Sequence, residues 1–192
     1  VGFFPMLRTE LAFYVGCLNL HEEFALRDLP TCTPDPAAAP ERRHTFRGLY
    51  DASLALVMEG TVVGSDVEAN GKQLAFITGA NQGGKSTFLR SIGIAQLMMQ
   101  CGLFVTARSF QANVCRGVFT HYGREEDSGM NSGKFDEELG RMSEIVDHIG
   151  ENSLVLFNES FSATNEREGS EIARQIVTAL LDKAVKVFFV TH

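Results

Sequence analysis

The pattern Gly79-x-x-x-x-Gly84-Lys85-Ser86 constrains this chain more than any other stretch, because of what lies on either side of it. An apolar run, Leu74-Ala-Phe-Ile77, leads into it, and helical periodicity follows at once. That order predicts a buried strand, a glycine-rich turn and a helix, which is the arrangement of a phosphate-binding loop. Glycines at 79, 83 and 84 let the backbone turn so that successive N–H groups face one anion. The helix beginning near Lys85 adds its positive dipole end to the same point. In such a loop Lys85 reaches the β- and γ-phosphates of a nucleotide, and the Ser86 hydroxyl sits on Mg²⁺.

At 192 residues the chain has room for one ordinary domain and a small appendage, and its 44% hydrophobic content suits a globular core. The formal net charge of −7 argues against this segment being a main DNA-gripping surface, which is usually basic. No apolar run reaches the roughly 18 residues of a membrane span. Val1-Gly-Phe-Phe-Pro5 lacks an initiator Met and the basic flank of a signal peptide, and Val187-Phe-Phe-Val-Thr-His192 stops on the heels of an apolar strand. Both ends suggest a piece of a longer protein. The four cysteines show no C-x-x-C pair and no zinc spacing; Cys17, Cys101 and Cys115 sit in apolar surroundings and read as core thiols of a reduced, cytoplasmic protein.

Leu7, Leu11, Tyr14 or Val15 and Leu18 fall at helical spacing, so an amphipathic helix is predicted from Pro5 to about Arg27, with His21 a solvated residue near its end. Residues 1–29 form this helical segment. Residues 30–45, with four of the five prolines between Pro30 and Pro40, form a stiff, irregular connector. Residues 46–192 form the main domain, truncated at its C-terminus. Within it, Tyr50–Met58 and Thr61–Val67 have strand-like content, and Asn70-Gly71 marks a turn into the central strand. Phe88, Ile92, Ala95 and Met99 continue a helix to about Gly102. Phe104–Val105 and Ala112–Cys115 read as short strands. Gly117–Gly123 leads into an acidic, glycine-rich loop, Arg124–Gly133, before a second helical stripe at Phe135, Leu139, Met142, Val146 and Ile149. Ser153–Phe157 and Val185–Val190 are further buried strands, separated by a helix from Glu166 to about Asp182. Strands that are unalternating apolar runs, divided by helices, imply a largely parallel sheet covered on both faces.

A phosphate loop needs a partner strand that delivers acids to Mg²⁺ and to the attacking water. Ser153-Leu-Val-Leu-Phe-Asn-Glu159 has that form, with its polar residues at the strand's carboxyl end. The first polar position is Asn158, whose carbonyl coordinates a cation without contributing charge. The second, Glu159, is placed to orient or activate water as a general base. His192, at the end of the last strand, reaches the same edge and could sense the γ-phosphate.

The run Gly79-Ala-Asn-Gln-Gly-Gly-Lys-Ser-Thr-Phe-Leu-Arg90 resembles the phosphate loop of the MutS family of DNA mismatch-repair ATPases, G-[PA]-N-x-G-G-K-S-T-x-x-R. The likeness continues through Gly102-Leu-Phe-Val105, Val118-Phe-Thr-His-Tyr-Gly123, Glu126-Asp127, Phe135-x-x-Glu138-Leu139, Leu154–Glu159 and Phe188-Phe-Val-Thr-His192, covering residues 74–192. The resemblance implies a P-loop NTPase of the ABC-type ATPase superfamily, an α/β fold with a largely parallel sheet flanked by helices and an N-terminal helix before it. It implies that Gly79, Ala80, Asn81, Gln82, Gly83, Gly84, Lys85, Ser86 and Thr87 bind ATP, with Asn81 near the γ-phosphate. Ser86, Asn158 and Glu159 would serve Mg²⁺, with Lys85, Glu159 and His192 as the catalytic set. Ser132 and Gly133 would form a signature loop offered to the nucleotide of a second subunit. A homodimer, or a MutS-like dimer, closing around ATP through this domain, with DNA bound by domains absent from this chain and no membrane partner, completes the expectation.

The sequence departs from the family pattern at informative places. Asn158 replaces an Asp, Gly133 aligns with the signature Ser, and Ser160–Asn165 replaces a glycine-rich G-R-G-T-S stretch while keeping Thr164. The aromatic residue that stacks on adenine falls near Thr61, which cannot stack. These changes mark a divergent branch in which ATP turnover is slow. Two other readings share the broader fold: a nucleotide-dependent clamp that barely hydrolyses ATP, and the ATPase subunit of a transporter. The absence of an LSGGQ-type run before the second strand argues against the transporter.

Overall fold

The computed structural model describes residues 2–123 and 133–191. The first element is a 24-residue helix, α1 (Phe3–Leu26), with Pro5 in its first turn. Its apolar stripe faces solvent: Leu18 is 65% exposed, and Leu11 and Tyr14 are exposed too. Only its last turns join the body, where Phe24 is buried against Tyr50, Ala52 and Ala55. His21 packs edge-on against Phe104 and pairs with Thr31 Oγ1 at 3.1 Å, so it is tied down rather than simply solvated.

The described residues form two four-stranded sheets. The first is mixed, in the order β1 (Asp35–Ala37), β5 (Ser109–Asn113), β2 (His44–Leu49), β3 (Ser65–Glu68). The short strand β1 lies inside the proline-rich segment that the sequence marks as irregular. It pairs in parallel with β5 at the sheet's edge, where a proline costs no ladder bond. Tyr50–Met58, expected as strand, is instead mostly the helix α2 (Ala52–Val57). Asp51 caps it by accepting from Leu54 N–H at 3.0 Å, and Ala52 and Ala55, three apart, bury together against Phe24. Phe104–Val105 contributes only an isolated bridge, Cys32 to Val105, and the strand expected from Ala112 begins earlier, at Ser109.

The second sheet is wholly parallel, in the order β4 (Leu74–Ile77), β8 (Lys186–Val190), β7 (Leu154–Asn158), β6 (Val118–Tyr122). Alternation along β7 and β8 explains why both read as unbroken apolar runs. Leu154, Leu156, Phe188 and Val190 face α3 (Lys85–Gln100), which lies between this sheet and Phe46 and Phe110 of the first. Val155, Phe157, Val187 and Phe189 face the other way, against α4 (Lys134–His148) and α5 (Glu166–Asp182). The covered parallel sheet is as expected. Strand β4 is not buried as expected: it ends the sheet, with Phe76 61% exposed. Cys115 is buried, but Cys17 is only partly so and Cys101 is exposed.

Candidate functional site

Because all four strands of the second sheet run parallel, their carboxyl ends share one edge, and ligands of open α/β sheets bind outside that edge. The turn 79–84 follows β4 there, and Asn158–Glu159 follow β7. The turn is built by glycine at two points. A side chain at Gly83 would bring a Cβ within 2.9 Å of the Ala80 carbonyl oxygen, which accepts Gly83's own N–H at 3.1 Å. Gly84, the N-cap of α3, has φ 82°, a left-handed conformation that L side chains resist. Gln82 also has positive φ, at 61°.

Lys85 is buried in the first turn of α3, and its ammonium folds back to donate to the carbonyl oxygens of Gly79 at 2.9 Å and Ala80 at 3.1 Å. Ser86 Oγ donates to Asn158 Oδ1 at 3.0 Å, tying the start of α3 to the end of β7 across 72 residues of sequence. Glu159, next to Asn158, has φ 52° and its N–H donates to the Val190 carbonyl oxygen at 3.1 Å, which ties the start of the loop after β7 to the end of β8. A shallow hollow runs from Gln82, Ser86 and Thr87 to Glu159. The structure therefore brings Gly79–Thr87, Asn158 and Glu159 to one edge. Gly133 is the N-cap of α4, while Ser132, His192 and the Glu126-Asp127 pair lie outside the described residues.

Sequence reasoning missed the wall beside the loop. A cleft of about 460 Å³ opens on Gly84 and Lys85 and is walled by Leu54, Met58, Val62, Val63 and Phe88. Thr61, the position expected to face adenine, lines it. Much of this wall comes from α2 and the segment after it, which composition disguised as strand. Asp51 links the wall to the loop's helix: its side chain is fully buried and pairs with Arg90 Nε at 2.5 Å. Nearby Tyr122 has its phenol pushed up by burial; Arg90 works against that shift and Asp51 adds to it.

The fold is thus an α/β one whose parallel sheet carries a glycine turn, a buried lysine and Ser86, Asn158 and Glu159 at its carboxyl edge. The chain belongs to the MutS family: the family profile described as MutS domain V matches residues 75–192, and that of the MutS2 N-terminal domain matches residues 1–27. It is 36% identical over 124 residues to a DNA mismatch repair protein MutS of Synechococcus sp., covering 64% of this chain and 14% of that protein. It is 30% identical over 183 residues to a DNA mismatch repair protein MutS of Clostridium kluyveri, covering 93% of this chain and 21% of that protein. It is 27% identical over 195 residues to the human MutS protein homolog 4, covering 97% of this chain and 21% of that protein. The chain thus spans about a fifth or less of the relatives it resembles. Among the described residues no helix is long and apolar enough to cross a membrane.

Proposed function

We propose that this chain is the ATP-binding and slowly ATP-hydrolysing part of a MutS-like protein, a P-loop NTPase domain that couples closure of a dimer to DNA engagement by other domains. The observation that carries the reading is the hydrogen bond from Ser86 Oγ to Asn158 Oδ1 at 3.0 Å, which joins the start of α3 to the end of β7, where the two halves of a nucleotide-Mg²⁺ site would have to meet. Residues 79–87 would cradle the triphosphate through their N–H groups and the α3 dipole. Lys85, released from the Gly79 and Ala80 carbonyls, would meet the β- and γ-phosphates. A boundary near residue 29 belongs to this reading, with α1 part of a neighbouring helical region; residues 30–45 go with the domain, since β1 pairs with β5 and β2 begins at His44.

The donors present fit Mg²⁺. Ser86 Oγ, Asn158 Oδ1 and the Glu159 carboxylate are hard oxygen donors, and Mg²⁺ takes most of its shell from water and phosphate and needs only one or two from protein. Among the described residues no group of three or more His, Cys, Asp or Glu side chains could hold a metal by itself, so phosphate would have to complete the site. A Mg²⁺ held there would supply charge neutralisation for the transferring phosphoryl group. Glu159 orients the attacking water and accepts its proton, and Lys85 balances charge on the phosphate oxygens. His192 and Ser132 are assigned to γ-phosphate sensing and to the signature loop by resemblance.

One observation favours a clamp that barely hydrolyses: the carboxamide of Asn158 stands where the family has an acid. Steady-state ATP hydrolysis by the whole protein, with and without mismatched duplex and with Lys85→Ala as control, separates the two. Turnover that depends on Lys85 and responds to DNA supports the hydrolytic reading. Tight ATP binding with turnover no higher than the control's sinks it and leaves the clamp.

A further inference from the structure

The loop after β7, residues 159–164, rests on a buried polar layer in which, among the described residues, the Glu138 carboxylate is unsatisfied. His121, on β6, is buried and lies between two groups: its Nδ1 is 2.7 Å from Ser160 Oγ, and its Nε2 is 3.0 Å from the Glu138 carbonyl oxygen. Nε2–H donates to the Glu138 carbonyl, and Ser160 Oγ has one proton, on which the His121 carbonyl oxygen at 2.7 Å and Nδ1 both have a claim. His121 thus pins the start of the loop to β6 and to α4.

The Glu138 side chain enters the same layer from α4. The residue is 1% exposed, and among the described residues neither of its carboxylate oxygens has a hydrogen-bond partner. Burial pushes its carboxyl up. Arg141 and Lys134 oppose that, as do the backbone amides of Phe161 and Ala163, which face the carboxylate outside hydrogen-bond geometry. The loop carrying those amides is tightly wound: Glu159 and Phe161 have φ of 52° and 65°. It is also confined from behind, because a Cβ at Gly169 on α5 would come within 2.2 Å of the Phe161 carbonyl oxygen. A buried carboxylate without partners is a costly arrangement. A small shift of the loop that brings the two amides into line would relieve it.

We propose that Glu138 is a positioning residue for Glu159: its carboxylate is the fixed acceptor on which the amides of Phe161 and Ala163 close when nucleotide binds at the sheet edge. These amides follow Glu159 by two and four residues, so their capture sets the backbone turn from which Glu159 projects. The proposal rests on the nucleotide reading of that edge, and it makes α4 a support for the residue that orients water.

The test is Glu138→Gln in the whole protein, an isosteric change that leaves one acceptor and introduces an N–H₂ group facing the two amides. Three readouts are taken with Mg·ATP: its dissociation constant, the kcat and KM of hydrolysis, and hydrogen exchange of residues 159–164. In the wild type, Mg·ATP is expected to slow exchange at Phe161 and Ala163. The variant is expected to lose that protection and about ten-fold or more in kcat, with ATP affinity and KM held. Ala163→Pro, which removes one of the amides without touching α4, should lower kcat in the same way. Unchanged kcat and exchange in Glu138→Gln overturn the proposal while leaving nucleotide binding intact. Affinity, kcat and melting temperature falling together also overturn it, since a merely structural role does that. Failure of the wild type to bind Mg·ATP overturns both this proposal and the reading on which it stands.

Discussion

Ser86 Oγ and Asn158 Oδ1 lie 3.0 Å apart, and this bond is where the loop before α3 meets the end of β7. A carboxylate in place of the carboxamide would accept the same proton and add a negative charge where the cation is proposed to sit. Asn158→Asp is therefore expected to tighten Mg²⁺-dependent nucleotide binding and raise ATP turnover by about ten-fold, or ~1.4 kcal/mol in barrier. Magnesium titrations of hydrolysis rate check it. An unchanged rate would show that the missing acid does not limit turnover.

Lys85 holds two loop carbonyls from within the fold. Lys85→Ala removes two charge-assisted bonds and the cation proposed to meet phosphate. ATP affinity should fall by at least about ten-fold, a loss of ~1.4 kcal/mol. The loop bonds themselves contribute on the order of 1–3 kcal/mol of stability. Calorimetric ATP titration and thermal unfolding of the same variant separate the two effects. Loss of affinity without change in melting temperature would mean the loop bonds carry no net stability.

Asp51 caps α2 and pairs with Arg90 on α3. Asp51→Leu removes both links and leaves Arg90 solvated, because its side chain is half exposed. A cost of about 2 kcal/mol is expected from the lost cap and the lost charged hydrogen bond. Denaturant unfolding measures it. If α2 forms a wall of the nucleotide cleft, ATP affinity drops in parallel, and unchanged affinity would remove α2 from the site.

His44 is buried among Phe46, Phe110 and Phe188, and its Nε2 has no hydrogen-bond partner among the described residues. Burial, and then the charge of Lys186, hold its pKa down to about 3 from 6.5. The unfolded chain takes up this proton below pH 6.5 and the folded protein does not. Stability is thus lost as pH falls from 6.5 towards 3, by at most ~1.4 kcal/mol per pH unit from this group. His44→Phe should remove that part of the acid slope. An unaltered slope of melting temperature between pH 6.5 and 5 in the variant would refute it.

Lys186 shows the same sense in a higher pH window. Burial first, and Arg42 second, lower its pKa from 10.5 to about 8. Between those values the unfolded chain binds the proton and the folded protein has released it, so this group's contribution to stability rises with pH across the interval. Lys186→Met is expected to stabilise the protein at neutral pH and to flatten that rise. Thermal unfolding from pH 7.5 to 10 in both proteins reads it, and a variant no more stable than the parent at neutral pH would count against a costly buried cation.

Much of the proposed site was legible because its chemistry is local. The spacing of Gly79, Gly84, Lys85 and Ser86 needs no tertiary information to predict a turn that points N–H groups inward and opens a helix. The apolar runs 154–157 and 187–190 similarly announce a parallel sheet buried on both faces, since only that environment makes alternation disappear. The polar pair Asn158-Glu159 could be placed at a strand's carboxyl end from the same run.

What only the folded chain decided are relationships between elements distant in sequence. Tyr50–Met58 has strand composition, yet the Asp51 cap, the Arg90 pair and burial against Phe24 make it the helix that walls the cleft. Strand β4 reads as buried, but the order β4-β8-β7-β6 leaves it at the edge. Glu138 looks like an ordinary acid on a polar helix face until α4 packs on β6 and buries it, without a partner among the described residues, near the loop of Glu159. Periodicity and loop chemistry depend on neighbours within a turn or two of chain. Burial, strand order and the company of a charge depend on contacts made across a hundred residues, and composition carries no record of them.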